Sequence, residues 1–307
     1  METRKIGSLD VPVVGLGCNN FGGRLDAAAT AAVVNACLDA GVTFFDTADV
    51  YGGTRSEEYI GQALGGRRDE VILATKFGGR VADDRKGAKP EYIHCAVEDS
   101  LRRLQTDRLD LYQLHVPDPE TPIGDTLAAL DELVRAGKVR EIGCSNFSAV
   151  QLQEAAAATA PGAARFLTVQ NEYSLLKRDP EQGVLAECER QGLGFLPYFP
   201  LASGLLTGKY RQGQPVPEGA RLAATPNPSR WLNDDYVARA EALIQFAEAR
   251  GHTILELAVS WLLRHPTVTC VIAGATKPEQ VRANAASAGW KLTPEELAEV
   301  DRIAGAA

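Results

Sequence analysis

Residues 41–58, GVTFFDTADVYGGTRSEE, open with a β-branched and aromatic run, Val42-Thr43-Phe44-Phe45, that reads as a fully buried strand. The run stops on Asp46, and a polar, glycine-containing segment carries Tyr51 before helical spacing resumes near residue 56. A carboxylate at the end of a buried strand and a phenol in the loop beyond it make a poor packing plan. They make sense as two members of a site whose other members lie elsewhere in the chain.

Outward from this stretch the same strand–loop–helix unit recurs. Towards the N-terminus the pattern predicts a short hairpin at 3–12, a strand at 13–17 and a helix at 28–40. Beyond the opening unit, a helix at 56–64 stops at Gly65-Gly66. Strands are then predicted at 71–75, ending on Lys76, and at 109–114, ending on His115. A further strand at 139–143 leads into Cys144-Ser145-Asn146-Phe147, and those at 166–169 and 193–197 end on Gln170 and Tyr198. Helices at 89–104, 123–136, 150–158 and 180–191 separate them. After the seventh strand the return is longer, with a loop at 202–233 and helices at 235–250 and 254–264. The last strand, 268–273, is followed by helices at 278–286 and 293–304, the second started by Thr293-Pro294-Glu295-Glu296.

Short apolar strands alternating with helices predict parallel βαβ units. Eight of them in 307 residues predict an α/β fold, a (β/α)8 TIM barrel with an N-terminal β-hairpin and extra helices. An open doubly wound sheet is the structural alternative, weakened because no G-x-G-x-x-G follows the first strand. With no internal repeat or linker, a single domain over 1–307 is the simplest organisation.

Composition narrows the function classes. A net charge of -8 without a basic cluster argues against a nucleic-acid partner. No apolar run of spanning length and no signal-peptide core occur, so a cytoplasmic protein without membrane contact is expected. Six cysteines lack C-x-x-C spacing and read as reduced, buried small hydrophobes. His115 has no metal-site companion and no G-x-S-x-G elbow is present, so neither a metal nor acyl transfer is expected.

One regularity decides the functional reading. Asp46, Lys76, His115, Ser145-Asn146, Gln170 and Tyr198 all fall where a strand gives way to its loop, and in a parallel barrel these ends share the face that carries active sites. Each alone could be a turn cap, a snorkelling lysine or a satisfied histidine. Together, Tyr51, Lys76, His115 and Asp46 suit proton transfer to a carbonyl oxygen. A nearby ammonium favours the phenolate of Tyr51, Asp46 holds Lys76, and His115 orients and polarises the carbonyl or helps relay the proton. Such a set supplies an acid but no hydride, and a nicotinamide cofactor would fill that gap.

The chain resembles the aldo-keto reductases. The matching pieces are GVTFFDTADVYG (41–52), SEEYIGQAL (56–64), ATKFG (74–78), SLRRLQTDRLDLYQLHVPD (100–118), GKVREIGCSNF (137–147), VQNEYSLL (169–176), PYFPLASGLLTGKY (197–210) and GATKPEQVRANAA (274–286). The resemblance implies the same barrel, a catalytic tetrad of Asp46, Tyr51, Lys76 and His115, and reduction of an aldehyde or ketone with NADPH. It further implies that Ser145, Asn146 and Gln170 hold the nicotinamide carboxamide while Tyr198 stacks on its ring. Leu201, Ser203, Gly204, Leu206 and Lys209 would lie along the pyrophosphate, and Gly274, Ala275, Thr276, Lys277, Gln280 and Asn284 would bind the adenosine end.

Two positions depart from many relatives: Phe199 follows the stacking aromatic where serine is common, and Gln280 stands where arginine often grips the ribose phosphate of NADP. Lys277 could supply that charge; NADPH is favoured, with NADH the alternative. The expected partner is a small-molecule carbonyl substrate, and the chain a monomer or weak homo-oligomer. Asn19, Asn20, Phe21, Phe77 and the 202–233 loop with Trp231 are expected to frame the pocket, Trp231 serving equally well as a loop anchor. A sugar dehydrogenase working towards oxidation is the enzymatic alternative. A cofactor-binding regulatory subunit, like the family's channel β-subunits, is the rival from another class.

Overall fold

The computed structural model describes residues 1–225 and 227–305. Pro226 of the expected 202–233 loop and the last two positions of the expected 1–307 domain lie outside the described residues. The chain starts with an antiparallel hairpin, β1 (Thr3–Ile6) and β2 (Leu9–Pro12). There follow β3 (Val14–Gly17), α1 (Ala27–Asp39), β4 (Phe44–Asp46), α2 (Arg55–Leu64), β5 (Ile72–Phe77), α3 (Pro90–Leu104), β6 (Leu109–Leu114) and α4 (Ile123–Arg135). The second half adds β7 (Val139–Ser145), α5 (Ala149–Ala158), β8 (Phe166–Glu172), α6 (Val184–Gln191) and β9 (Gly194–Tyr198). Last come α7 (Asp234–Glu248), α8 (Ile254–Leu263), β10 (Val271–Gly274), α9 (Pro278–Ala286) and α10 (Pro294–Ala304).

Strands β3 to β10 form one parallel sheet in which β10 pairs with β3, Val271 opposite Val14. The remaining seam is closed just ahead of β10, where the Phe195 N–H donates to the Thr267 carbonyl (2.7 Å) and the Thr269 N–H to the Phe195 carbonyl (2.9 Å). The sheet is therefore the expected (β/α)8 barrel, with the hairpin and extra helices in place. Along each strand the two-residue period sorts side chains between two environments. Outward residues such as Phe45, Leu73, Leu114 and Val169 join the large apolar layer under the helices. Inward residues Phe44, Ala74, Leu111, Leu196 and Ile272 form a small inner cluster, which Ile6, Leu9 and Val11 of the hairpin complete from below. That interior is tightly filled: a Cβ on Gly15 would sit 2.8 Å from both Cys270 Sγ and Phe44 Cδ1.

Several boundaries differ from those read in the sequence. The β4 ladder begins at Phe44, and the last strand at Val271, with Val268 detached as an isolated bridge to Phe195. The expected helix at 180–191 is split into a 3-10 turn, Asp179–Gln182, and α6, because Gly183 takes φ 135°, outside any helix. Helices α5, α8 and α10 begin with full capping boxes from Ser148–Gln151, Thr253–Glu256 and Thr293–Glu296. The six cysteines are free thiols; five are buried, but Cys95 is exposed on α3, contrary to the reading of the set as buried. Among the described residues no helix is long and apolar enough to cross a membrane.

Candidate active site

Inward parity at the C-terminal ends of the strands brings four polar side chains together above the apolar inner cluster. Asp46 of β4 and Lys76 of β5 meet at 2.6 Å, with Lys76 fully buried and Asp46 2% exposed. The Lys76 ammonium also donates to the Thr47 carbonyl (2.8 Å). The second carboxylate oxygen, Asp46 Oδ1, accepts from Gln170 Nε2 (2.9 Å) and Gln113 Nε2 (3.1 Å), and the two amides meet each other at 3.3 Å. Asp46 is thus saturated by hydrogen bonds, the condition under which a buried charge is tolerated.

Tyr51 stands over this pair on the loop between β4 and α2. Its ring centroid lies 5.1 Å from Lys76 Nζ and 5.8 Å from the His115 ring, which meets it edge-on at 81°. The loop is seated on its neighbour between β3 and α1 by tight contacts. Ser56 Oγ bonds Thr47 Oγ1 (2.8 Å) and the Cys18 carbonyl (3.0 Å), and the Cys18 N–H donates to the Asp46 carbonyl (2.9 Å). Gly52, at φ 61°, passes so close to Phe21 and Gly22 that a Cβ there would lie 2.8 Å from the Gly22 backbone. His115 hangs beyond β6, its N–H bonded to the Phe77 carbonyl (2.8 Å), and its buried Nδ1 has no hydrogen-bond partner among the described residues.

The electrostatics follow from burial and from one ammonium. Burial raises the Tyr51 phenol above its ordinary value; Lys76 pulls it down as the sequence suggested, but burial, aided by Asp46, outweighs it. Burial works against the Lys76 ammonium, and Asp46 and Tyr51 more than offset it, so the amine stays charged. Burial and Lys76 together lower His115 to about 3, which leaves a neutral imidazole at any physiological pH. The arrangement presents a protonated phenol, backed by a cation and flanked by a neutral imidazole: donors suited to an oxygen that gains negative charge.

The residues expected to face the nicotinamide are also brought together. Ser145 Oγ donates to the Gln170 carbonyl (2.7 Å), and Asn146, in the left-handed region at φ 63°, sends Nδ2 to the His115 carbonyl (2.9 Å) and to Ser145 Oγ (3.1 Å). The Tyr198 phenol donates to Asn146 Oδ1 (2.8 Å). After β9 the 201–209 segment folds through a 3-10 turn in which Ala202 and Ser203 take left-handed φ, and Leu206 is buried beneath it. Next to β9, Gly274 ends β10 at the surface and the loop after it carries Thr276 and Lys277 at or near the surface, with Ala275 buried below. Gln280 folds back so that Oε1 accepts from the Thr276 N–H (2.7 Å), and buried Asn284 points its amide at the Gly274 carbonyl (3.5 Å).

Some pocket expectations are corrected. Phe77 follows Lys76 in β5, so it faces the helix layer, fully buried against Tyr112 with ring centroids 4.7 Å apart. Phe21 is likewise fully buried, whereas Asn19 is partly exposed and Asn20 reaches the Ala275 carbonyl (3.4 Å). Trp231 is an anchor: 3% exposed, it lies between Phe199 and Tyr236.

Sequence reasoning missed two features. Gln113 shares inward parity with His115 and follows inward Leu111, a polar side chain aimed at the barrel interior and a legible signal. Arg24 and Arg221 gather with Lys209 at the mouth, and no carboxylate pairs with any of the three among the described residues. Arg24 reaches the Gly219 carbonyl (3.5 Å), Arg221 covers the Phe199 ring at 5.3 Å, and Lys209 the Tyr210 ring at 5.3 Å. Burial, then repulsion within the trio, lowers Lys209 and Arg221. Only the folding of two distant loops makes this cluster.

Comparison with known proteins accords with this geometry. The model of the Aldo/keto reductase family matches residues 13–304. Aldo-keto reductase YhdN of Bacillus subtilis is 36% identical over 299 residues, spanning 94% of this chain and 89% of its own. A probable voltage-gated potassium channel subunit beta of Oryza sativa subsp. japonica is 36% identical over 295 residues, 92% of this chain and 89% of its own. The structure of the glycerol dehydrogenase AKR11B4 from Gluconobacter oxydans superposes with a TM-score of 0.84 at 32% identity, covering 98% of this chain and 94% of that one.

Proposed function

The chain belongs to the aldo/keto reductase family, and on that premise we propose that it reduces an aldehyde or ketone to an alcohol with NADPH, Tyr51 giving the proton. Members of the family are NAD(P)H-dependent oxidoreductases acting on carbonyl and alcohol groups, and this chain is one of them. The observation that carries the finer reading is the buried Asp46–Lys76 pair (2.6 Å) under the Tyr51 ring, beside a neutral His115.

The Tyr51 phenol holds its proton at rest because burial disfavours the phenolate. As negative charge grows on the carbonyl oxygen, that proton transfers to it, and the Lys76 ammonium stabilises the phenolate left behind. Asp46, fixed by Gln113 and Gln170, keeps the ammonium in place. His115, neutral, directs the oxygen by hydrogen bonding without competing for the proton. The nicotinamide, when bound, supplies the hydride.

The residues present fit such a cofactor. Three cations without carboxylate partners among the described residues, beside a left-handed loop, suit a pyrophosphate, and Arg24, Lys209 and Arg221 would hold it with the 201–209 backbone. Ser145, Asn146 and Gln170 would hold the carboxamide and Tyr198 the ring face. Exposed Lys277, at the N-terminus of α9, places a cation beside the positive end of a helix and favours an additional phosphate, which supports NADPH over NADH. The same reading has the chain acting as one domain in the cytoplasm, as a monomer or weak homo-oligomer.

The likeness to a protein named glycerol dehydrogenase supports a second reading, in which the same residues run in the direction of alcohol oxidation. Steady-state rates over a panel of carbonyls, sugars and polyols, followed by cofactor absorbance with NADP(H) and NAD(H), separate the two. Faster carbonyl reduction with NADPH is expected. Tight cofactor binding with negligible turnover in both directions would contradict either enzymatic reading and favour a regulatory role.

A further inference from the structure

Asp49 lies two residues before Tyr51 on the same loop and is 1% exposed. Its backbone N–H donates to the Lys76 carbonyl (3.1 Å), while its side chain meets Tyr92 of α3. There the Tyr92 phenol donates to Oδ2 (3.3 Å), and Oδ1 has no hydrogen-bond partner among the described residues. Beside it, fully buried Glu57 of α2 accepts from Thr75 Oγ1 (2.5 Å) and from Arg103 Nε of α3 (2.6 Å). Tyr112 of β6 has a buried phenol oxygen in the same layer with no hydrogen-bond partner among the described residues. One guanidinium therefore serves two buried carboxylates, and it is already engaged by Glu57.

An ionised Asp49 would sit in this layer with a long phenol hydrogen bond and some help from the Val50 backbone, while Oδ1 stays unpartnered among the described residues, an expensive arrangement. Burial first, then the charge of Glu57, raise its carboxyl to about 7, against the opposing pull of Arg103 and Tyr92. The groups facing it are Glu57 on α2, Tyr92 and Arg103 on α3 and Tyr112 on β6. Arg85, paired with Asp99 of α3, acts on Tyr92 from the loop before that helix. The proposed proton-transfer set makes no use of this carboxyl.

We propose that Asp49 is a positioning residue for Tyr51: packed as a neutral acid beside buried Glu57 it seats the loop that presents the phenol, and as a carboxylate, with Oδ1 unpartnered among the described residues and Glu57 repelling it, it loosens that seat and lowers turnover on the alkaline side of neutral. The sign follows from linkage. A carboxyl raised in the folded state gives its full stabilisation below the ordinary value of 3.8, and loses it progressively as pH rises through about 7. Loosening a loop by a fraction of an ångström costs turnover about tenfold, within the roughly hundredfold loss known for an ångström of misplacement.

The inference rests on Tyr51 being the proton donor, and its test reads Asp49 both through activity and independently of it. The kcat–pH profile at saturating cofactor is measured for the wild type, Asp49→Asn and Tyr92→Phe, alongside an infrared difference titration of protonated carboxyl groups without substrate. Expected are a wild-type alkaline limb starting near neutral and its loss in Asp49→Asn, which also melts at a higher temperature than wild type above neutral pH. A protonated-carboxyl band should vanish across the same range in wild type and be missing from Asp49→Asn. Tyr92→Phe, without the bond that favours the carboxylate, should move the limb to higher pH, and decides the matter should Asp49→Asn not fold. Superimposable profiles for wild type and Asp49→Asn, a band unchanged by that substitution, or a limb unmoved in Tyr92→Phe would overturn the proposal. Were Tyr51 not the donor, Tyr51→Phe would stay active while the carboxyl band still reported Asp49; were only Asp49 misassigned, Tyr51→Phe would still be inactive.

Discussion

Asp46 and Lys76 meet at 2.6 Å inside the barrel, and neither charge could stand there alone. Removing Asp46 strands an ammonium in a desolvated site, so Asp46→Leu should cost about 3–5 kcal/mol in urea unfolding. Adding Lys76→Met removes the stranded charge, and the double variant should recover most of that loss while remaining inactive. His115 offers a second residue-scale test. With its pKa lowered to about 3 from 6.5, acidification below the ordinary value protonates the unfolded chain first and so destabilises the fold. Its imidazole resonances should therefore show no titration through neutral pH in a cofactor-free NMR experiment, whereas a midpoint near the ordinary value would refute the burial argument.

At the scale of elements, the loop between β4 and α2 positions the phenol by leaning on the loop before it. Gly52→Ala adds a Cβ 2.8 Å from the Gly22 backbone at φ 61°. The loop must shift, and kcat should fall about tenfold to a hundredfold, with a modest loss of thermal stability in a melt. How far the sequence exposed these elements depended on the range of the interactions involved. The barrel was legible because apolar runs, glycine stops and capping boxes are local signals, and Asp46, Lys76 and His115 stood out as polar ends of apolar runs. Strand parity, applied strictly, separates Lys76 from Phe77 and joins Gln113 to His115; reading only strand ends lost both points. Gly183 marked the break before α6 by its conformational freedom alone. The Arg24–Lys209–Arg221 cluster and the layer around Asp49 were not legible, since each depends on packing between segments far apart in sequence.

The barrel interior is apolar towards the end closed by the hairpin and polar at the other, where six of the eight strands bring Asp46, Lys76, Gln113, Ser145, Gln170 and Tyr198. The whole molecule's charge of -8 would repel an anionic cofactor at long range, so the cation trio at the mouth must act locally. Arg221→Ala should weaken NADPH binding about tenfold or more, the scale of one charged hydrogen bond, and flatten the dependence of affinity on salt in a fluorescence titration. Unchanged affinity at low salt would place the pyrophosphate elsewhere.

The central claim is that the phenol of Tyr51, held over the buried Asp46–Lys76 pair, is the acid of the reaction. The most direct measurement is single-turnover oxidation of bound NADPH by a good carbonyl substrate in Tyr51→Phe, with cofactor affinity measured on the same preparation. The rate should fall by about a hundredfold to ten-thousandfold, the range attributed to a positioned general acid, with affinity close to that of wild type. A variant that turns over near the wild-type rate would contradict that claim.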